Sequence, residues 1–214
     1  MDSPSSFDLA PPSDGVREDQ EAAAAAMDRD IPPPPPSPLF DSFEELYDFI
    51  QGFHRDNGAA LVKKSSSRKR DIRGQTMPGH YVLVCDRGPR RASESAGIRK
   101  TSTQKLDCPV KITASTTKAT DWKWTYRVQQ GEHNHAQSLD PSAHNIHRRR
   151  TTSQQQLERT LSKYKTLSAR DMSSIIRDSS SKSNSFFRQR DIYNDRQRIR
   201  LEARKEKPVN QVDV

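Results

Sequence analysis

Cysteine is scarce in this sequence: only Cys85 and Cys108 occur among its 214 residues. A fold held together by several disulfide bonds is therefore excluded, and we expect both thiols to stay reduced. The sequence also lacks the run of about 18 apolar residues that spans a membrane, so it predicts no membrane partner. The first ten residues carry Asp2 and Asp8 and no apolar segment, and we expect no secretory signal there.

Hydrophobic residues are also few, at 31% of the chain, against 30% charged residues. This composition excludes one large core extending over the whole length. Residues 1–50 hold two basic and twelve acidic residues, a net charge of −10, whereas residues 51–150 have +12 and residues 151–214 have +6. An acidic tail before a basic body indicates a polyanionic partner, with a solvated surface as the alternative.

Three regions follow from these shifts in composition. Residues 1–38 contain an alanine run at 22–26 and a proline run at 32–36, and we expect a disordered acidic tail because little apolar surface is available for burial. Residues 39–140 are predicted to form a compact domain. Residues 141–214 are predicted to form a basic helical extension.

The periodicity of the middle region predicts an α+β fold. Ser42 and Glu45 match a capping box that opens a short amphipathic helix, and Gly58 marks its end. The apolar stripe of this helix consists of Phe43, Leu46, Tyr47 and Ile50. Strands are predicted at 59–65, 81–85, 109–114 and 122–128. No helix long enough for a parallel crossover separates them, so the small sheet should be antiparallel.

Helical periodicity returns after residue 141. Leu157, Leu161 and Tyr164 share one stripe, and Ser168 is predicted to cap a second helix. That helix carries Met172, Ile175 and Ile176. A third, highly charged helix is expected at 191–207.

Four residues could together bind a metal ion: Cys85, Cys108, His133 and His135. Side chains two apart on an extended segment point to the same side, so both imidazoles can reach one ion. Two thiolates and two imidazoles match tetrahedral zinc, and four protein ligands leave no open position, which indicates one structural Zn²⁺. The alternative is a pair of unrelated cysteines beside a polar loop. The remaining histidines, His54, His80, His144 and His147, are interpreted as solvated.

The motifs resemble the WRKY and glial-cells-missing superfamily of zinc domains, in the far-red-response form found at the N-terminus of Mutator-like transposases. The matching segments are FDSFEELYDFIQGFHRDNGAALVKKSS, YVLVCDRG, CPVKITAS and WKWTYRVQQGEHNHAQS. The resemblance implies a small antiparallel sheet with zinc at one end and DNA bound through an edge strand. The WRKYGQK heptad is absent, so the base specificity of that motif is not implied.

The segment RDIYNDRQRIR at 190–200 is similar to the one that precedes the catalytic domain in those transposases. Because the chain ends at Val214, we expect no catalytic domain and no enzyme activity. The resemblance therefore favours a DNA-binding zinc protein, either a transcriptional regulator or a domesticated transposase fragment. The alternatives are the N-terminal part of a transposase enzyme, an RNA-binding or protein-interaction module, and an inert remnant.

Basic residues cluster around the predicted first strand and in a later loop. Neutralising phosphates releases counterions, and a strand can enter the major groove of double-stranded DNA. The predicted DNA-binding residues are Lys63, Lys64, Ser65, Arg68, Lys69, Arg70, Arg99 and Lys100. Each cluster can instead be a flexible basic loop or a nuclear import signal, as the triplets at 68–70 and 148–150 suggest. We expect a nuclear protein, and leave open whether it forms a homodimer.

Overall fold

The structure, a computed structural model, describes residues 30–90, 103–179 and 185–205. It has the predicted α+β architecture: a helix precedes a four-stranded antiparallel sheet, and further helices follow. Arg99, Lys100 and most of the acidic tail lie outside the described residues. Among the described helices, none has the length and apolar character needed to cross a membrane.

The first helix, α1, covers Phe43–Asp56 and begins as predicted. The side chain of Ser42 accepts a hydrogen bond from the Glu45 amide at 3.0 Å. The Glu45 carboxylate accepts from the amide of Asp41 rather than that of Ser42, so the reciprocal half of the capping box is shifted by one residue. Gly58 follows the helix with φ at +65°, a left-handed conformation that glycine adopts without strain.

The sheet has the order β1–β4–β5–β6, formed by Leu61–Ser66, His80–Cys85, Lys111–Thr116 and Trp124–Gln130. All four predicted strands are present, but the first, third and fourth begin two residues later than predicted. Trp122, predicted to open a strand, has φ at +61° and belongs to the preceding turn. The core lies between α1 and one face of the sheet, where Leu46, Leu83 and Ile112 are fully buried.

A second, two-stranded sheet was not predicted. Strands β2 at Lys69–Ile72 and β3 at Gln75–Pro78 pair as a hairpin. Arg73 and Gly74 form its turn, with φ at +53° and +78°, as a two-residue hairpin turn of this twist requires. The strands lack a buried face along their length, which explains why hydrophobic alternation did not indicate them.

The described end of the predicted tail lies against β6. Tyr126 donates its hydroxyl to the Pro35 carbonyl at 2.6 Å and its amide to the Ser37 hydroxyl at 2.9 Å. Phe40 then pairs with Trp124 through two backbone hydrogen bonds. Ile31 is buried as well. Residues 31–40 therefore cover the outer edge of β6, although residues 31–38 were expected to belong to the disordered tail.

Three helices form the C-terminal part: α2 at Thr152–Leu161, α3 at Ala169–Asp178 and α4 at Gln189–Lys205. Ser168 caps α3 as predicted, accepting from the Asp171 amide at 3.2 Å. A small core consists of Met172, Ile176, Phe187 and Ile192. The prediction that Tyr164 shares an apolar helix stripe with Leu157 and Leu161 was wrong. Helix α2 ends at Leu161, so Tyr164 lies beyond the helix and is 57% exposed.

Candidate metal centre and basic edge

The four predicted ligands meet at one end of the main sheet. Cys85 is the last residue of β4, and Cys108 lies three residues before β5. His133 and His135 follow the end of β6. Antiparallel pairing brings the end of β4 beside the segment leading into β5, so the topology places both cysteines together. Both are buried, and both histidines are half-buried.

The ligand atoms are spaced for one small ion. Cys85 Sγ lies 3.3 Å from His135 Nε2, and Cys108 Sγ lies 3.4 Å from His133 Nδ1. The two ring nitrogens are 3.2 Å apart, and all four ligand atoms lie within 4.8 Å of one another. These residues are therefore able to bind a metal ion.

The spacing fits zinc. With Zn–S of about 2.3 Å and Zn–N of about 2.0 Å, a tetrahedron separates nitrogen from sulfur by about 3.5 Å and the two nitrogens by about 3.3 Å. The two nitrogen–sulfur separations and the nitrogen–nitrogen separation given above lie within about 0.2 Å of these values. Two thiolates and two imidazoles are also a donor set that zinc commonly takes in structural sites.

Burial shifts the pKa of three of the four candidate ligands, Cys85, His133 and His135. It raises the pKa of the Cys85 thiol well above its usual range, so this thiol is neutral until a metal displaces its proton. Burial lowers the pKa of His133 to about 3, and the pKa of His135 is also lowered, again mainly by burial. Both imidazoles are therefore neutral near pH 7 and have a lone pair available for a metal.

Neighbouring groups orient some of the ligands. The amide of Arg87 donates to Cys85 Sγ at 3.4 Å. His135 Nδ1 lies 3.0 Å from the Ala136 carbonyl oxygen, which leaves Nε2 free for an ion. The Nε2 atom of His133 is buried and has no hydrogen-bond partner among the described residues.

The interpretation of the other histidines as solvated was wrong for two of them. His54 and His144 are almost completely buried, because tertiary contacts that no local pattern encodes enclose them. His54 Nδ1 lies 2.7 Å from the Ile50 carbonyl, and burial lowers the pKa of His54. His147 is half-buried, with Nε2 at 2.9 Å from the Ala59 carbonyl.

His144 joins the segment after the metal site to the start of β1. Its Nδ1 lies 2.7 Å from Asp86 Oδ2 and its Nε2 lies 3.0 Å from Ser138 Oγ, an order that resembles a serine-hydrolase triad. However, Nε2 also faces the Gly58 carbonyl at 3.3 Å, and Arg87 donates to Ser138 Oγ at 2.7 Å. Since a carbonyl oxygen only accepts, Nε2 would have to donate to Gly58 and could not act as a base toward Ser138. These contacts favour a structural role for His144.

Two of the predicted DNA-binding residues make contacts within the protein. The ammonium group of Lys63 lies over the rings of Phe43, Tyr47 and Tyr81, with distances to the ring centroids of 4.5, 4.7 and 5.5 Å. Arg70 donates to the Thr116 carbonyl at 3.1 Å and lies over the Trp122 ring. Arg70 therefore connects the β2–β3 hairpin to the main sheet.

The other predicted residues that the structure describes are exposed. Lys64 and Ser65 lie on the second half of β1, Arg68 follows that strand, and Lys69 opens β2. Among the described residues, no carboxylate lies within ion-pair distance of Lys64, Arg68 or Lys69. We call Lys64, Ser65, Arg68 and Lys69 the basic edge.

The basic triplet at 148–150 is mostly occupied in ion pairs. Arg148 pairs with Asp191 at 3.2 Å. Arg150 pairs with Glu158 at 2.9 Å and also with Asp195, and its side chain is only 8% exposed. Only Arg149 of this triplet is an exposed residue, so the triplet is poorly disposed for an import receptor.

Comparison with known proteins gives one informative sequence match. The chain is 33% identical, over 164 residues that make up 75% of its length, to the PKS-NRPS hybrid synthetase cheA of Chaetomium globosum. It spans about 3% of the length of that protein, so the similarity concerns one segment of it. No family model matches the chain.

Among solved structures, a crystal structure of AFT2 in complex with DNA aligns with 82% of this chain and 98% of its own. The sequence identity is 13% and the TM-score is 0.32. A likeness this distant carries no inference about fold or function.

Proposed function

We propose that this protein is a zinc-stabilised DNA-binding protein, acting as a transcriptional regulator or as a domesticated, transposase-derived DNA-binding fragment. Its role is to bind rather than to catalyse. The observation that carries the proposal is the set of two cysteines and two histidines whose ligand atoms lie within 4.8 Å of one another at one end of a small sheet. A structural zinc there would fix one end of the sheet, beside the start of β1, whereas the basic edge lies toward the other end of that strand.

The proposed roles of the ligands follow from their positions. Cys85 and Cys108 would supply two thiolates, and His133 Nδ1 and His135 Nε2 would supply two neutral nitrogens. Bound zinc would contribute folding free energy by linking β4, the segment before β5 and the segment after β6. The protein's own groups then hold the ligands in place, as Arg87 does for Cys85 Sγ.

The sheet topology supports β1 as the DNA-binding edge. Of the two outer strands, β6 is covered by residues 31–40, whereas the second half of β1 presents the exposed Lys64 and Ser65. A strand edge with exposed amides and lysine can approach phosphates or enter the major groove. The segment just before β1 is less accessible, because His147 Nε2 lies 2.9 Å from the Ala59 carbonyl there.

A salt titration on a selected duplex tests the DNA part of the proposal. Each of Lys64→Ala, Arg68→Ala and Lys69→Ala should weaken binding and reduce the salt slope by about one unit if the side chain contacts a phosphate. The matched control is Arg127→Ala, an exposed arginine on β6 near the other edge of the sheet. Its binding should equal that of the parent chain.

Two results would contradict this proposal. The first is parental binding by all three basic-edge variants together with loss of binding on deleting 152–205, which would make the helices the DNA-binding surface. The second is tighter binding to duplex RNA than to duplex DNA of the same sequence, which would favour an RNA-binding module.

We also propose a nuclear location. The basic edge, in particular Arg68 and Lys69, remains exposed and available to an import receptor, whereas Arg148 and Arg150 are engaged in ion pairs. Imaging of a tagged chain should show nuclear accumulation that falls when Arg68 and Lys69 are both replaced by alanine. Steady exclusion of the parent chain from the nucleus would contradict the proposal.

A further inference from the structure

His54 has an unused ring nitrogen in the interior of the domain. Its Nδ1 lies 2.7 Å from the Ile50 carbonyl oxygen, which can only accept, so Nδ1 carries the ring proton. The other nitrogen, Nε2, then has a lone pair. That atom is buried and has no hydrogen-bond partner among the described residues.

His133 has the complementary requirement. Its Nδ1 belongs to the ligand set, so a bound metal takes the lone pair of that atom, and the ring proton must be on Nε2. This Nε2–H would be a buried donor, and it too lacks a partner among the described residues. A buried donor without an acceptor costs free energy comparable to a lost hydrogen bond.

The two rings are neighbours. Their centroids are 5.9 Å apart and the ring planes are inclined by 59°. The other histidine ligand already has an acceptor for its second nitrogen, because His135 Nδ1 faces the Ala136 carbonyl at 3.0 Å. Metal-bound histidines almost always have such a partner, which fixes the tautomer and the ring orientation.

We propose that His54 is the positioning residue for His133: with zinc bound, His54 Nε2 accepts the Nε2–H of His133, a hydrogen bond that the structure does not yet contain, and this bond holds Nδ1 of His133 toward the metal. This inference rests on the proposed zinc centre. Two hydrogen bonds would then connect α1 to that centre: the one from His54 to the Ile50 carbonyl is present, and the one from His133 to His54 would form with the metal. Helix α1 is then part of the metal site, although it supplies no ligand.

Histidine-selective ¹H–¹⁵N NMR on the zinc-loaded full chain tests the proposal directly. His133 should show a metal-bound Nδ1 and a slowly exchanging proton on Nε2. His54 should show a protonated Nδ1 and an unprotonated Nε2 whose ¹⁵N shift indicates hydrogen-bond acceptance. A His54 ring protonated on Nε2 would overturn the proposal without any variant being needed.

The variant His54→Phe keeps an aromatic ring but removes the acceptor. It should speed exchange of the His133 Nε2 proton at least about tenfold and weaken zinc binding, in competition with a chelator, by about 10- to 100-fold. In His54→Gln the side-chain oxygen can accept the same hydrogen bond, so part of both losses should be restored. The control Ile50→Val removes one methylene from the same buried face of α1 and should leave the exchange rate unchanged.

The possible failures are distinguishable. A parent chain that binds no zinc overturns both the zinc centre and this inference. A parent chain that binds one zinc, with His54→Phe matching it in affinity and proton exchange, overturns the role of His54 alone.

Discussion

Gly58, at the junction between α1 and β1, determines how closely the segment after the metal site can pack against that junction. Gly58 has a positive φ, and a Cβ atom there would lie 2.6 Å from the backbone nitrogen of Ser138. The amide of Ser138 in turn donates to the Gly58 carbonyl at 2.8 Å. The close approach of these two backbone segments brings residues 137–144 beside the metal site.

The variant Gly58→Ala should therefore destabilise the protein. The left-handed backbone conformation alone costs about 1–3 kcal/mol for a residue with a side chain, and the Ser138 backbone must also move. The matched control is Gly52→Ala in the middle of α1, where nothing lies within 4 Å of the added Cβ. That change should stabilise the protein by about 0.5–1 kcal/mol. Urea unfolding of both variants measures this, and shifts in the same direction would contradict it.

Buried histidines show the limit of sequence inference at the residue scale. His133 and His135 were identified because their spacing and the two cysteines match known metal chemistry. His54 and His144 were assigned to solvent, because a histidine near a helix end or in a loop carries no local mark of burial. Their burial depends on contacts with segments distant in the sequence, such as Gly58 and Asp86 for His144.

At the scale of elements, the β2–β3 hairpin is connected to the main sheet through Arg70 and through Met77, which packs against the main core. The Arg70 guanidinium donates to the Thr116 carbonyl and lies over Trp122. A further connection, the ion pair between Arg73 and Asp121, is exposed on both sides. Exposed pairs contribute little to stability, so Arg70 should be more important than this ion pair.

Replacing Arg70 with alanine should free the hairpin without unfolding the sheet. Hydrogen exchange in peptides covering 68–78 should accelerate, while peptides covering 80–85 keep their protection. The control Arg73→Ala removes the exposed ion pair at a cost of at most about 1 kcal/mol and should leave both peptides protected. Equal exchange of the hairpin in the two variants would refute the role given to Arg70.

The helical part contains a buried ion pair. The side chains of Arg150 and Glu158 are 8% and 3% exposed. Burial raises the pKa of the Glu158 carboxyl, while the charge of Arg150 acts in the opposite direction. Taking both charges out of water costs free energy, so replacing the whole pair by apolar residues should change the stability little. Removing only one partner leaves a buried charge with less compensation and should be strongly destabilising.

The variant Glu158→Ala should destabilise the helical part by about 3–5 kcal/mol, because it leaves Arg150 with less compensation in the interior. The double variant Arg150→Met with Glu158→Leu should restore most of that stability, since Asp195 keeps Arg198 as a partner at 3.2 Å. Denaturation followed by circular dichroism measures both. A double variant at least as unstable as the single one would disprove this reading.

How far the sequence predicted the elements depended on whether their signals were local. Helix α1, the capped start of α3 and the last three strands of the main sheet have apolar periodicity that a short window contains, whereas β1 has only the apolar residues at its start. The hairpin has only the turn signal of Gly74 after Arg73, between strands with mostly exposed side chains. The extended segment before Phe40 has no periodicity, since its position depends on Tyr126 and Trp124.

At the scale of the whole molecule, the metal site connects parts that are far apart in the sequence. Its ligands join the end of β4 to the segments before β5 and after β6. The segment that follows leads through His144 to the helices. Loss of the proposed zinc should therefore loosen the sheet end and the attachment of the helical part together.

The most direct test of the account is the zinc content of the purified full chain together with its dependence on the four ligands. We predict one zinc per chain, unfolding at markedly lower temperature after chelation, and loss of stoichiometric zinc in Cys85→Ser and His135→Ala. The control His80→Gln, which lies outside the ligand set, should retain one zinc. A parent chain without stoichiometric zinc, whose thermal unfolding is the same with and without chelator, would contradict the account.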